Sequence, residues 1–184
     1  LNLTVEEAER MKLEARFLIA YYYALLVEFY GAVPFTAEPI DLDAPYDVLM
    51  MQQVPVHQVI DWIDNELLEV SKGLLASYTN PTLYGRATSL MCLAVRSRLL
   101  LLSASPLLNG NKDYMNHKNP NGEELFYSEY DVNRWQRAAN AAKELIDAAH
   151  AAGKKLYTVY IPDGTVDPFL SCRGILMTKE SAGN

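Results

Sequence analysis

The stretch 107–132 carries the residue types from which a carbohydrate site can be made: Asn109, Asn111, Asp113, Tyr114, Asn121, Phe126, Tyr127 and Tyr130. Exposed aromatic faces cover the C–H faces of pyranose rings, while amide and carboxylate groups bond ring hydroxyls. The same residues also suit a structural part, in which the aromatics pin a long loop and the asparagines serve turns. Trp62 lies off the apolar stripe of its helix and is a further candidate for a ligand or partner contact. Tyr21, Tyr22 and Tyr23 cannot share one side, because successive helical residues step by about 100°. At least one of them belongs to a core.

Other chemistries find no support. His57, His117 and His150 are isolated, and without an H-E-x-x-H or paired-cysteine spacing no zinc centre is expected. In Asn109-Gly110-Asn111-Lys112-Asp113 the glycine and the distal glutamate are misplaced for a calcium loop. Asp41, Asp43 and Asp47 read as a solvated cluster. No nucleophile elbow, phosphate loop or dinucleotide fingerprint occurs, and adjacent Glu123 and Glu124 give no glycosidase geometry by themselves. Arg86 and Arg98 are expected to hold loop carbonyls or acidic partners. The expectation is a protein that is not an enzyme, with no cofactor and no metal.

The 184 residues are 50% hydrophobic and 21% charged, enough to bury a core, and the net charge of −7 argues against a nucleic-acid partner. Two cysteines, Cys92 and Cys172, do not suggest a disulfide framework. The opening Leu1-Asn2-Leu3 and the tail Lys179 to Asn184 read as the ends of an excised piece. Between Phe17 and Phe35 there is one charge, Glu28. That residue, four tyrosines and the Gly31/Pro34 stop favour a buried helix over a membrane span.

Four helices are predicted. Thr4 and Glu7 form a capping box at the head of the first, which Gly31 ends. Its stripes, Leu13/Phe17/Ala20/Ala24/Val27 and Leu18/Tyr22/Leu25/Phe29, predict a helix sandwiched on two faces. The second starts near Pro55 with the stripe Val56, Ile60, Ile63, Leu67, Val70 and Leu74, and its opposite face, Asp61, Asp64, Asn65 and Glu69, reads as exposed. The third, from about Ala87 to Ala104, carries the small-residue stripe Ala87, Leu90, Ala94, Ser97, Leu101 and Ala104, suited to close approach of helices. The fourth, from about Arg134 to Ala152, has Asn133 as its cap and Trp135, Ala138, Ala142, Leu145 and Ala149 as its stripe. Phe17, Ala24, Ala94, Leu101, Trp135 and Ala142 are the expected scaffold residues. Leu156 to Ile161 is one strand or an extended tail. The pattern is all-α: a tetratricopeptide-like α-α superhelix of antiparallel helix pairs with long loops, in one helical-repeat region over 1–184.

Four blocks give the chain a resemblance to the SusD/RagB-like family of outer-membrane nutrient-binding lipoproteins. They are Glu14-Ala15-Arg16-Phe17-Leu18 through Tyr21-Tyr22-Tyr23 to Tyr30-Gly31-Ala32-Val33-Pro34; Val59-Ile60 with Asp64-Asn65-Glu66-Leu67; Gly85-Arg86-Ala87-Thr88 to Ser103-Ala104-Ser105-Pro106; and Trp135 with Ala138-Ala139 and Ala141-Ala142-Lys143. The resemblance implies a non-catalytic glycan- or nutrient-binding protein, lipid-anchored on the cell surface at the outer membrane. It further implies that oligosaccharides pass to a SusC-like TonB-dependent transporter. Such proteins are far longer, so this chain would be a fragment that is chiefly scaffold, with the lipid-bearing segment outside it. The residues alone leave a second possibility, a helical-repeat scaffold for protein–protein interaction.

Overall fold

The computed structural model describes residues 3–177. Leu1, Asn2 and residues 178–184, with the expected excised ends, lie outside them. The order is α1 (Val5–Tyr30), α2 (Tyr46–Leu49), α3 (Val56–Gly73), α4 (Ser89–Ala104), α5 (Asn133–Ala151), β1 (Val159–Tyr160), β2 (Val166–Asp167) and α6 (Pro168–Met177). The fold is all-α and tetratricopeptide-like, as the periodicities predict. The chain divides into two compact units, Leu1–Ile146 and Asp147–Asn184, so the division falls inside α5.

In the first unit α1 begins at the expected capping box. Glu7 N donates to Thr4 Oγ1 at 3.2 Å, and Thr4 N donates to Glu7 Oε2 at 2.9 Å. The helix stops at Gly31, whose φ of +72° is open to glycine at little steric cost. A Cβ there would also sit 2.7 Å from the Phe126 ring, so the stop doubles as a seat for the long loop.

Pairing along the helices reads off the contacts. Leu13 lies against Gly73, Arg16 bonds Glu66, and Tyr23 meets Trp62, so α1 and α3 run in opposite directions. Ser89 N donates to Leu75 O, and further along Arg96 bonds Asp64, so α3 and α4 are antiparallel too. Arg134 reaches Ser103 and Glu144 reaches Arg96, which sets the first part of α5 antiparallel to α4. Helix α3 is the centre of this unit. Its predicted stripe is buried throughout, packed with Phe17, Ala20, Ala24 and Val27 of α1 and with Cys92, Leu99, Leu100 and Ala104 of α4.

Three expectations are corrected. Helix α1 buries only its first stripe: Leu18, Tyr22 and Phe29 of the second are exposed, Phe29 by 75%. The small-residue stripe of α4 packs only at its ends, Ala87 and Ala104; in its middle Ala94 is exposed and Leu101 is 56% exposed. The larger apolar side chains on the other side, Cys92, Leu99 and Leu100, meet α3 and bury more surface. Trp135 is likewise 40% exposed, and on α5 the buried alanines are Ala138 and Ala141. An Ala94→Leu change, which close packing would punish, is therefore expected to shift stability by no more than about 0.5 kcal/mol. A melting temperature several degrees below wild type would restore the close-packing account.

The second unit gives Leu156 to Ile161 one short strand, Val159–Tyr160. Val159 pairs with Asp167 and Tyr160 with Val166 in an antiparallel hairpin, whose turn uses Asp163 and Gly164 (φ +85°). Asp167 Oδ1 then accepts from Leu170 N and starts α6, an element the sequence reading lacks. Ser171 Oγ accepts from Val159 N at 2.9 Å and donates to Asp167 O at 2.5 Å, tying the helix to the hairpin.

Both cysteines are free thiols, Cys92 buried and Cys172 exposed. Burial pushes the Cys92 thiol up to about 12. At pH 8 an aromatic disulfide reagent should titrate one thiol rapidly in the native chain and two in denaturant. Two rapid equivalents without denaturant would contradict the burial of Cys92.

Candidate functional site

A charged cluster joins α3, α4 and α5. Asp64, expected on an exposed face, is only 5% exposed. Arg96 of α4 donates through Nε to Asp64 Oδ1 and through Nη1 to Glu144 of α5. Arg137 of α5 donates to Asp64 Oδ2 and to Asp61 Oδ1, each at 2.5 Å. Asp64 is thus held by arginines from two other helices, which is how a charge is carried inside a fold, while Asp61 is half exposed and, among the described residues, pairs with Arg137 alone.

Next to this cluster opens a pocket of about 290 Å³. Ile60 and Leu100 line it with apolar surface, and the polar side chains converge from four places. His57 and Asp61 come from α3, one turn apart; Ser103 comes from α4; Arg134 and Arg137 come from the first turns of α5; Tyr127 comes from the long loop. The Arg134 guanidinium lies 3.8 Å from the centre of the Tyr127 ring, a cation–π contact, and the His57 ring lies 4.3 Å from the same ring. Among the described residues Arg134 enters no ion pair, and its hydrogen bond is a long one of 3.4 Å to Ser103 Oγ. Burial pushes the Arg134 pKa down. Burial also lowers His57, against the opposing pull of Asp61, which leaves its imidazole neutral at pH 7 with one donor and one acceptor nitrogen.

The sequence candidates fall in different places. Tyr127, 37% exposed, lines this pocket. Asn109 is buried and fully engaged: Nδ2 donates to Ala104 O and Asp131 O, and Oδ1 accepts from Asp131 N at 2.8 Å. Asn111 Oδ1 accepts from Asp113 N, and its Nδ2 donates to Leu107 O, so the pair builds a short turn with Asp113 at the surface. Tyr114 is half-buried, its ring 4.6 Å from Phe126. Tyr130 is 65% exposed. Trp62 is half-buried against Phe35 and Tyr23, at 4.8 and 5.9 Å between ring centres. His57, Asp61, Arg134 and Arg137 were not singled out for a site. Their signal was available as polar pairs at spacings of four and three on two helices.

On the other side of the unit α1 and α4 leave an apolar groove of about 550 Å³, lined by Phe17, Leu18, Tyr21, Met91, Ala94 and Val95. Arg86 pairs with Glu14 at 2.6 Å beside it, and Arg98 pairs with Glu28 at 2.5 Å. Both arginines thus have the acidic partners expected of them. Among the described residues no helix is long and apolar enough to cross a membrane, and no group of three or more His, Cys, Asp or Glu side chains could hold a metal ion.

No protein-family model matches the chain, and no curated protein does. Solved structures do. The protein BT4246 is 34% identical over 92% of this chain, with a TM-score of 0.78, and the match covers 28% of that protein. A SusD-like carbohydrate-binding protein from Bacteroides fragilis is 18% identical over 79% of this chain and 22% of its own, with a TM-score of 0.56. Surface glycan-binding protein A from Bacteroides uniformis is 24% identical, over 79% of this chain and 26% of its own, with a TM-score of 0.51. The chain therefore spans between about a fifth and little more than a quarter of the length of these proteins.

Proposed function

This chain is a SusD-like segment in its all-α fold, and from that premise we propose that it is scaffold of a non-catalytic glycan-binding protein at the bacterial cell surface. In this reading the whole protein is lipid-anchored in the outer membrane and passes oligosaccharides to a SusC-like TonB-dependent transporter. The observation that carries the reading is the fold shared with a SusD-like carbohydrate-binding protein from Bacteroides fragilis. The signature blocks support it: the first runs from Glu14, inside α1, to Pro34, beyond the Gly31 stop, and Gly85 to Pro106 spans α4 with its flanks.

The test is a screen of neutral and acidic glycans with the full-length protein beside the 184-residue chain. Selective binding by the full-length protein, without release of free sugar, is the expected result. Binding by the long form alone places the main ligand surface outside 1–184; binding by both places one within it. Absence of binding by either, across plant, host and microbial polysaccharides, would remove the reading. A second reading, a scaffold that seats a protein segment, is favoured by the open apolar groove between α1 and α4.

A further inference from the structure

Resting on the glycan-binding reading, we infer that the pocket beside Tyr127 holds one neutral sugar residue through adjacent ring hydroxyls, with Arg134 and Asp61 as the contacts. The groups there are matched to that chemistry. A guanidinium only donates and a carboxylate only accepts, whereas each hydroxyl does both. Two neighbouring hydroxyls can therefore accept from Arg134 and donate to Asp61. Both groups have capacity left: Arg137 occupies Oδ1 of Asp61 and leaves Oδ2, and Arg134 holds only the long contact to Ser103. Neutral His57 adds one donor and one acceptor at the same wall.

The charge balance selects against an anion. Arg134 and Arg137 face Asp61 and Asp131 around the pocket, so a carboxylate or phosphate would meet two acids as well as two bases. Tyr127 has a different part from the one its type suggests. Its ring is already in contact with Arg134 and His57, so it positions those groups instead of offering an open face to the sugar. The cluster behind the pocket fixes Asp61 from the other side through Arg137. A site braced in this way loses little freedom when it binds.

The test uses the full-length protein and the best ligand from the glycan screen. Arg134→Gln has no ion pair to break, and Asp61→Asn keeps the side-chain shape; melting curves establish that each is folded. Loss of a hydrogen bond to a charged group should weaken binding roughly ten- to hundredfold in either variant. Affinity equal to wild type in the folded variants overturns the pocket assignment and leaves the glycan-binding reading standing. A ligand whose binding needs a uronate or sulfate group and fades steeply with salt, and is weakened by the same variants, overturns the neutral-hydroxyl assignment. No glycan bound by the wild-type protein removes both.

Discussion

Replacing Asp64 with alanine is expected to destabilise the chain by about 3–5 kcal/mol, the range for breaking a buried ion pair from one side. The size follows from what is left behind. Arg96 keeps only Glu144, whose side chain is 46% exposed, and its own side chain is 12% exposed. Arg137 keeps only Asp61 at the pocket wall. Both guanidiniums lose a desolvated partner; Arg137, 40% exposed, can turn to water, but Arg96 is enclosed and carries most of the cost. Urea unfolding reads the effect as a fall of about 1 M or more in midpoint at unchanged slope. A midpoint that stays put would show the cluster to be solvated and held by surface pairs, which are worth little. Replacing Asp64, Arg96 and Arg137 together with apolar residues of matching shape should recover much of the loss, since removing the whole group leaves no orphaned charge.

The second large effect is expected at Phe17. Truncation to alanine removes a ring that is buried among α1, α3 and α4 and stacked 5.9 Å from Tyr21. Aromatic-to-alanine changes in cores cost about 3–5 kcal/mol. Phe17 also borders the groove between α1 and α4, so water can enter the hole, which puts the expected cost at the lower end. For a chain of this size the melting temperature should fall by roughly 6–12 °C. A fall of only a degree or two would mean that α1 repacks into the groove. Phe17→Leu should recover most of the loss, because it refills most of the cavity with apolar volume.

Much of the helical scaffold was legible in the residues. The capping box at Thr4, the Gly31 stop and the stripe of α3 are local signals, and each holds in the fold. The failures were of another kind. Periodicity names the apolar faces of a helix but not which of them a neighbour covers: α4 offers both a small-residue stripe and a leucine side, and Leu99 and Leu100 of the second make the contact while Ala94 and Leu101 of the first face solvent. Polarity misled in the same way at Asp64: an acid on a helix reads as solvated until arginines 32 and 73 residues away reach it. Loop 107–132 was legible in chemistry and not in use. Asn109 and Tyr114 have the types that bind sugars, yet their groups are taken up in holding the loop. A loop residue's partners are set by long-range folding, and no short-range pattern reports them.

The arginine–aspartate cluster also decides which helices can pair. Repeat-like helices with similar apolar stripes could slide by a turn, or exchange neighbours, at small cost in buried area. Moving α4 by one turn along α3 would carry Arg96 about 5 Å from Asp64 and leave both groups buried without their partner. The same penalty meets any foreign helix that lacks an arginine at the matching height. Asp64 therefore works as an address label: it admits α4 and α5 in one register and turns away the look-alike helices that repeat-like folds supply.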